Sequence, residues 1–224
     1  MKDYQELMDY YDERAAEYDE VYLGKSPGMP EPETYQRDVD AIKKICGAFG
    51  RGHLIDIGCG TGYWLPYYEG NCTEITLVDQ SRSMLMECRK KVTQSPESKK
   101  VHFVKGNFFQ MRFLPRIFDC AVIAFLISHM TRDDETTFFK KLKMIMKPKA
   151  GVLWIDGSWS ELRSKYRDKE SNQQRTLQDG RSFSIFKRYF EEQDVKVILS
   201  KHSLKLRSLY MGDAFFAAEA VLKH

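Results

Sequence analysis

The sequence predicts an α/β fold built on a mostly parallel sheet with helices on both faces. Three observations carry this. Short apolar runs alternate with stretches of helical periodicity along most of the chain. Phe118–Phe125 is almost continuously apolar, as a parallel strand covered on both faces is. The segment His53-Leu-Ile-Asp-Ile-Gly-Cys-Gly-Thr-Gly-Tyr-Trp64 passes from an apolar strand, through a loop with glycine at every second position, into helical spacing.

The elements follow in order. Helices are expected over Tyr4–Tyr22 and Glu33–Phe49, separated by the loop Gly24–Pro32 with its three prolines and two glycines. Strand one is Leu54–Ile57 and strand two Ile75–Asp79. A helix follows with Met84, Leu85, Cys88 and Val92 on one face. Ser95-Pro-Glu-Ser is a turn, Val101–Val104 strand three and Phe118–Phe125 strand four. Thr131-x-x-Asp134 opens the next helix as a capping-box variant, and Pro148 closes it after Met146. Strand five is Gly151–Ile155. Residues 157–185 read as irregular or partly helical, and Phe186–Glu192 as a short helix or turn. Val195–Ser200 and Ala214–Leu222 read as a closing antiparallel pair at the sheet edge.

The glycine loop carries the functional signal. Gly58, Gly60 and Gly62 let the backbone turn sharply and approach a ligand that a Cβ would push away. The loop also delivers that ligand to the positive end of a helix. Asp79 ends the next strand, about twenty residues on, where an acid grips ribose hydroxyls. A nucleoside-bearing small molecule is therefore expected across two adjacent strand ends. It is not a dinucleotide, because G-x-G-x-x-G needs glycine at Tyr63.

The pattern Asp56-x-Gly58-x-Gly60-x-Gly62 resembles motif I of the class I S-adenosylmethionine-dependent methyltransferases. Other landmarks agree: Gly106-Asn-Phe-Phe109 after strand three, Phe118-Asp119 opening strand four, Met146-Lys-Pro-Lys-Ala-Gly151 before strand five, and an N-terminal helix with Tyr10-Tyr-Asp-Glu-Arg-Ala-Ala-Glu-Tyr-Asp19. The likeness covers nearly the whole chain and is most specific over residues 33–156. It implies a seven-stranded Rossmann-like sheet, mostly parallel with an antiparallel edge strand. It also implies one domain over 1–224: a lid helix and loop (1–32), a cofactor-binding core (33–156) and an acceptor-side segment with closing strands (157–224). The implied cofactor is S-adenosyl-L-methionine. Its implied contacts are Tyr11, Arg14, Asp56, Gly58, Cys59, Gly60, Gly62, Asp79, Gln80, Met84, Asn107, Phe108 and Phe125. Two departures stand out. Asn107 replaces an aspartate, and its amide oxygen can still meet the adenine amino group. Lys149-Ala150 replaces a glycine pair away from the chemistry.

Methyl transfer needs positioning, exclusion of water and, for an acidic nucleophile, a base. His129 follows strand four at the carboxyl end of the sheet and is the candidate proton acceptor. The other readings are a ligand contact and a loop-ordering histidine. Tyr11, Arg14 and Tyr18 share one helical face at i, i+3 and i+7. Arg14 there either pairs with the cofactor carboxylate or is solvated. Tyr18 either points at the reacting centre, as a second catalytic candidate, or packs. Residues 161–188 hold eight Lys/Arg against four Asp/Glu, which fits either an acidic acceptor or a solvated charged face.

Bulk properties bound the rest. The 224 residues suffice for one sizeable core. A composition of 42% hydrophobic and 30% charged residues is that of a soluble globular protein, and the longest apolar run is too short to span a membrane. Five cysteines without a C-x-x-C pair argue against a disulfide framework or a zinc site, so no metal is expected. The polar start is no secretory signal, which implies a cytoplasmic location. A net charge of +3 and the absence of an Asn/Asp-Pro-Pro-Tyr/Phe motif after strand four favour a small-molecule acceptor over nucleic acid. A nucleic-acid or protein methyltransferase, or a non-catalytic cofactor binder, are the competing readings. The chain is expected to be a monomer or homodimer.

Overall fold

The computed structural model describes residues 2–25, 31–92 and 100–223. Part of the expected loop Gly24–Pro32 and the turn at Ser95 lie outside the described residues. The chain runs α1 (Lys2–Arg14), a 3₁₀ turn (Tyr18–Leu23), α2 (Pro32–Ala48), β1 (His53–Ile57), α3 (Leu65–Tyr68), β2 (Glu74–Asp79), α4 (Arg82–Lys91), β3 (Lys100–Lys105) and β4 (Phe118–Ala124). It continues with a 3₁₀ turn (Ile127–His129), α5 (Arg132–Ile145), β5 (Met146–Gly157), α6 (Glu161–Ser164), β6 (Glu170–Thr176), β7 (Ser182–Arg188), α7 (Glu192–Lys201), β8 (Leu204–Met211) and β9 (Phe215–Leu222).

Seven strands form one sheet in the order β3-β2-β1-β4-β5-β9-β8. The first five are parallel, β9 is antiparallel to β5, and β8 is antiparallel to β9. This is the seven-stranded, mostly parallel sheet that the sequence predicts. Side-chain alternation along β1 sorts the core into two layers. Leu54 joins the layer under α2, α3 and α4, whereas Ile55 and Ile57 join the layer under α5 and α7. The expected capping box at α5 is present, with Asp134 N donating to Thr131 Oγ1 at 3.2 Å and Thr131 N donating to Asp134 Oδ2 at 3.3 Å.

Three expectations are corrected. Val195–Ser200 is helix, not strand: Val195, Ile198 and Leu199 repeat at i, i+3 and i+4, and a capping box from Glu191 to Asp194 starts the turn. The true partner of β9 is β8, where a register shift between Leu206 and Ser208 breaks the two-residue period. Residues 157–185 are partly helical, as expected, at α6, but from Glu170 on they are strand: β6 and β7 form a separate antiparallel ribbon that takes in Phe186 as well. Only one face of that ribbon is packed, so its sequence lacks the apolar signature of a core strand. The first helix also divides, because α1 ends at Arg14 and a 3₁₀ turn carries Tyr18.

Candidate functional site

The strand order reverses between β1 and β4, and the crevice at such a reversal is where open α/β sheets bind ligands. Two adjoining cavities open there, of about 800 Å³ and about 1040 Å³ when the space open to solvent is counted.

The first cavity lies over the ends of β1 and β2. Gly58, Gly60, Asp79, Gln80, Met84 and Phe108 line it, as expected. Phe109 of the Gly106–Phe109 landmark lines it too, and so do Val78, Ser81 and Phe138 and, from α1, Leu7 and Met8, which were not expected as contacts. Gly60 sits at φ 54°, and a Cβ there would stand 4.0 Å from both Met84 Sδ and Tyr18 Cε1, two wall residues. Its missing side chain is therefore cavity space. Gly62 differs: at φ 69°, its Cβ would come 2.5 Å from Cys88 Sγ. Gly62 is needed for packing against α4, and it does not line the cavity.

Asp79 is held facing this space. Its Oδ2 accepts from Gly60 N at 2.9 Å and its Oδ1 from Ser81 N at 2.8 Å. Burial pushes its carboxyl above the usual range, against the pull of these amides. The carboxylate can accept further hydrogen bonds from ligand hydroxyls.

Four other expected contacts do not line this cavity. Asp56 is buried, accepts from the Tyr68 hydroxyl at 2.5 Å, and is pushed by burial to a pKa of about 7. Its Oδ1 has no hydrogen-bond partner among the described residues. Cys59 is buried in the α2–α4 layer. Asn107 does not line this cavity, and its Oδ1 accepts from Phe109 N at 2.8 Å, which orders the turn that presents Phe108. Arg14 donates to the Tyr10 hydroxyl and lies over the Tyr10 and Tyr18 rings; it lines the second cavity rather than the first.

Tyr11, Tyr18, Phe125 and His129 line both cavities and so form the junction between them. Phe125 holds φ 54°, a strained value for an aromatic residue, with its ring against Tyr22 and Phe215. His129 Nδ1 lies 2.8 Å from the Phe186 carbonyl, which can only accept, so Nδ1 carries the proton. Nε2 then accepts from the Tyr11 hydroxyl at 2.7 Å. Burial, with the charges of Lys187 and Arg175, holds His129 well below the usual histidine range. Burial, with Tyr18 and Tyr10 nearby, holds Tyr11 well above the usual tyrosine range. The pair is neutral at pH 7.

The second cavity lies under α1 and the β6–β7 ribbon. Among its wall residues, Lys187 and Tyr189 belong to the aromatic and basic stretch that the sequence offers as either an acceptor pocket or packing, whereas Arg175 was not singled out. Helix α1 and its 3₁₀ turn roof both spaces. Ser81 Oγ and Ser83 N donate to Asp12 Oδ1 at 2.6 and 3.2 Å, and Ser184 N donates to Glu6 at 2.5 Å. Asp19 accepts from Thr61 Oγ1 at 2.5 Å and from Lys91 Nζ at 2.6 Å.

Residues 54–149 match the family described as "Methyltransferase domain". The chain is 29% identical over 118 residues to "Ubiquinone/menaquinone biosynthesis C-methyltransferase UbiE" of Pseudomonas paraeruginosa, covering 51% of this chain and 45% of that protein. The UbiE of Vibrio cholerae serotype O1 is 28% identical over 115 residues, covering 50% and 44%. The chain thus spans about half the length of the curated relatives it matches. Among solved structures, the DhpI–SAH complex superposes with a TM-score of 0.76 at 22% identity, over 98% of this chain and 96% of that one. Magnesium protoporphyrin IX methyltransferase (ChlM) from Synechocystis PCC 6803 with bound SAH gives 0.65 at 15% identity, over 97% and 98%. These likenesses show the fold along the full described chain.

Proposed function

This chain belongs to the class I S-adenosylmethionine-dependent methyltransferase family, and we propose that it transfers a methyl group from S-adenosylmethionine to a small-molecule acceptor. The observation that carries the reading is the junction: two cavities meet at Tyr11, Tyr18, Phe125 and His129.

The first cavity fits the cofactor. Gly60 leaves open space beside Met84, the apolar walls Val78, Phe108 and Phe138 suit a flat base, and the Asp79 carboxylate suits ribose hydroxyls. When bound, S-adenosylmethionine supplies a methyl group on a sulfonium that a nucleophile displaces in line. The residues of this chain do the rest. Tyr11 and His129 hold a directed hydrogen bond at the junction, and α1 excludes water from it. The acceptor occupies the second cavity, roofed by α1 and the β6–β7 ribbon, an enclosure that suits a small molecule better than a polymer.

Isothermal titration tests the first half. S-adenosylhomocysteine should bind far more tightly than NAD, and equal or tighter NAD binding overturns the assignment. Incubation with methyl-labelled cofactor and fractionated small metabolites tests the second half. Label should enter a low-molecular-weight product; label entering only macromolecules rejects the small-molecule acceptor.

A further inference from the structure

Residues 161–188 carry twice as many basic as acidic residues, and four of the eight basic ones face one cavity. Glu161, Asp168, Glu170 and Asp179 are exposed. Arg163, Arg167, Arg175 and Lys187 turn inward and, with Arg14, line the second cavity. No Asp or Glu is among its described lining residues.

Counter-charge inside is scarce. Lys187 pairs with Asp156 at 3.2 Å. Arg163, only 4% exposed, spends Nε on the Ser158 carbonyl at 2.7 Å and one terminal nitrogen on the Ala214 carbonyl at 2.5 Å. Its guanidinium lies 4.2 Å from the Tyr189 ring centroid. Arg175 donates to Gln173 Oε1 at 2.7 Å and to the Tyr189 hydroxyl at 3.3 Å. Both arginines thus have neutral hydrogen-bond partners among the described residues. A buried cation without an opposite charge is costly, and an oxyanion offers both the charge and a match to the guanidinium fork.

We infer that the acceptor, on the reading proposed above, is a small molecule bearing a phosphate-, phosphonate- or carboxylate-type oxyanion, held in the second cavity by Arg163 and Arg175. A second observation agrees. Burial alone would raise Tyr189, yet Arg163, Arg175 and Lys187 bring it down to about 8, as a concentrated positive field does.

The test uses the full chain saturated with S-adenosylhomocysteine and three probes: methylphosphonate, succinate and neutral glycerol. One of the two anions should bind with measurable heat and glycerol should not. Tighter methylphosphonate binding assigns a phosphorus oxyanion, and tighter succinate binding a carboxylate. Arg175→Gln should weaken the preferred anion about ten-fold or more, one charge-assisted hydrogen bond, while leaving S-adenosylhomocysteine affinity unchanged. A second readout needs no variant at the arginines. The tyrosinate absorbance transition near pH 8, absent in Tyr189→Phe, should move to higher pH when the anion is added. Cofactor binding without anion binding, or anion binding indifferent to Arg175 and to the Tyr189 titration, overturns the inference and leaves the methyltransferase reading intact. Failure to bind S-adenosylhomocysteine overturns that reading instead.

Discussion

The Tyr11 hydroxyl donates to His129 Nε2 across 2.7 Å, and the Phe186 carbonyl fixes the direction by holding the proton on Nδ1. Tyr11 comes from the lid and His129 from the turn after β4, so the bond closes the junction from both sides. If the pair moves a proton, His129→Ala should lower kcat by about 10²–10⁴-fold, the range for a positioned general base. Cofactor affinity should hardly change. Tyr11→Phe should reproduce much of that loss, and the double variant should be little worse than either single one, because residues acting as a unit are non-additive. Steady-state kinetics of the three variants decides this, and additive losses separate the two roles.

The pH profile follows from the same surroundings. A sequence reading expects activity to fall as an ordinary histidine protonates. Burial and the nearby Lys187 and Arg175 hold His129 well below 6.5, so kcat should stay level through pH 6.5 and fall only at lower pH. The stability sign runs the other way from a salt-bridged histidine. On acidification through 6.5 the unfolded imidazole takes a proton while the folded one resists, so stability is lost as pH falls. Denaturant midpoints across this range should slope less in His129→Gln than in the native chain.

Much of this site was legible before the structure, for a physical reason. Gly60, Asp79, Met84 and Phe108 belong to local strand–loop–helix units whose spacing fixes their place. The second cavity was legible only in part, because the aromatic and basic stretch around Tyr189 and Lys187 fits packing as well as an acceptor pocket. Arg175 and Lys187 sit on a polar ribbon whose partners, α1 and the turn at Ile127–His129, are distant in sequence. Charge counts there could not tell inward arginines from outward ones.

Gly62 separates packing from binding. Ala at this position meets both the left-handed backbone, φ 69°, and Cys88 Sγ. Gly62→Ala should destabilise the fold by roughly 2–4 kcal/mol, a backbone and an overpacking cost together. Adding Cys88→Ala should recover the packing share and leave the backbone share. Urea unfolding of both variants measures the split, and no recovery would place the whole cost in the backbone.

Asp79 is expected to act on ligand and loop together. Asp79→Ala should weaken S-adenosylhomocysteine by roughly 1.5–3 kcal/mol, the scale of hydrogen bonds to a charged group. It also leaves Gly60 N and Ser81 N without their acceptor, so melting temperature should drop. Asp79→Asn keeps one acceptor oxygen and should recover part of both. Calorimetry and thermal denaturation together check this, and full affinity in Asp79→Ala removes the residue from the ribose site.

The lid is the last expectation. Two of its ties land beside the first cavity: Asp12 on Ser81, the N-cap of α4, and Asp19 on Thr61 of the glycine loop. A ligand that orders the loop and Ser81 should therefore order α1 as well. Amides of residues 5–23 should exchange quickly in the free chain and slowly with S-adenosylhomocysteine bound. The Ser81 hydroxyl, against a smaller burial effect, holds Asp12 below the usual carboxylate range. Its grip therefore persists at neutral pH and weakens as pH falls through the folded pKa. Asp12→Ala should keep α1 exchanging quickly even in the complex and should lower kcat, because closure excludes water and completes the junction. The melting temperature of the free variant should hardly move, since this contact lies near the surface. Equal exchange in free and bound native chain would mean that α1 is a fixed wall and not a lid.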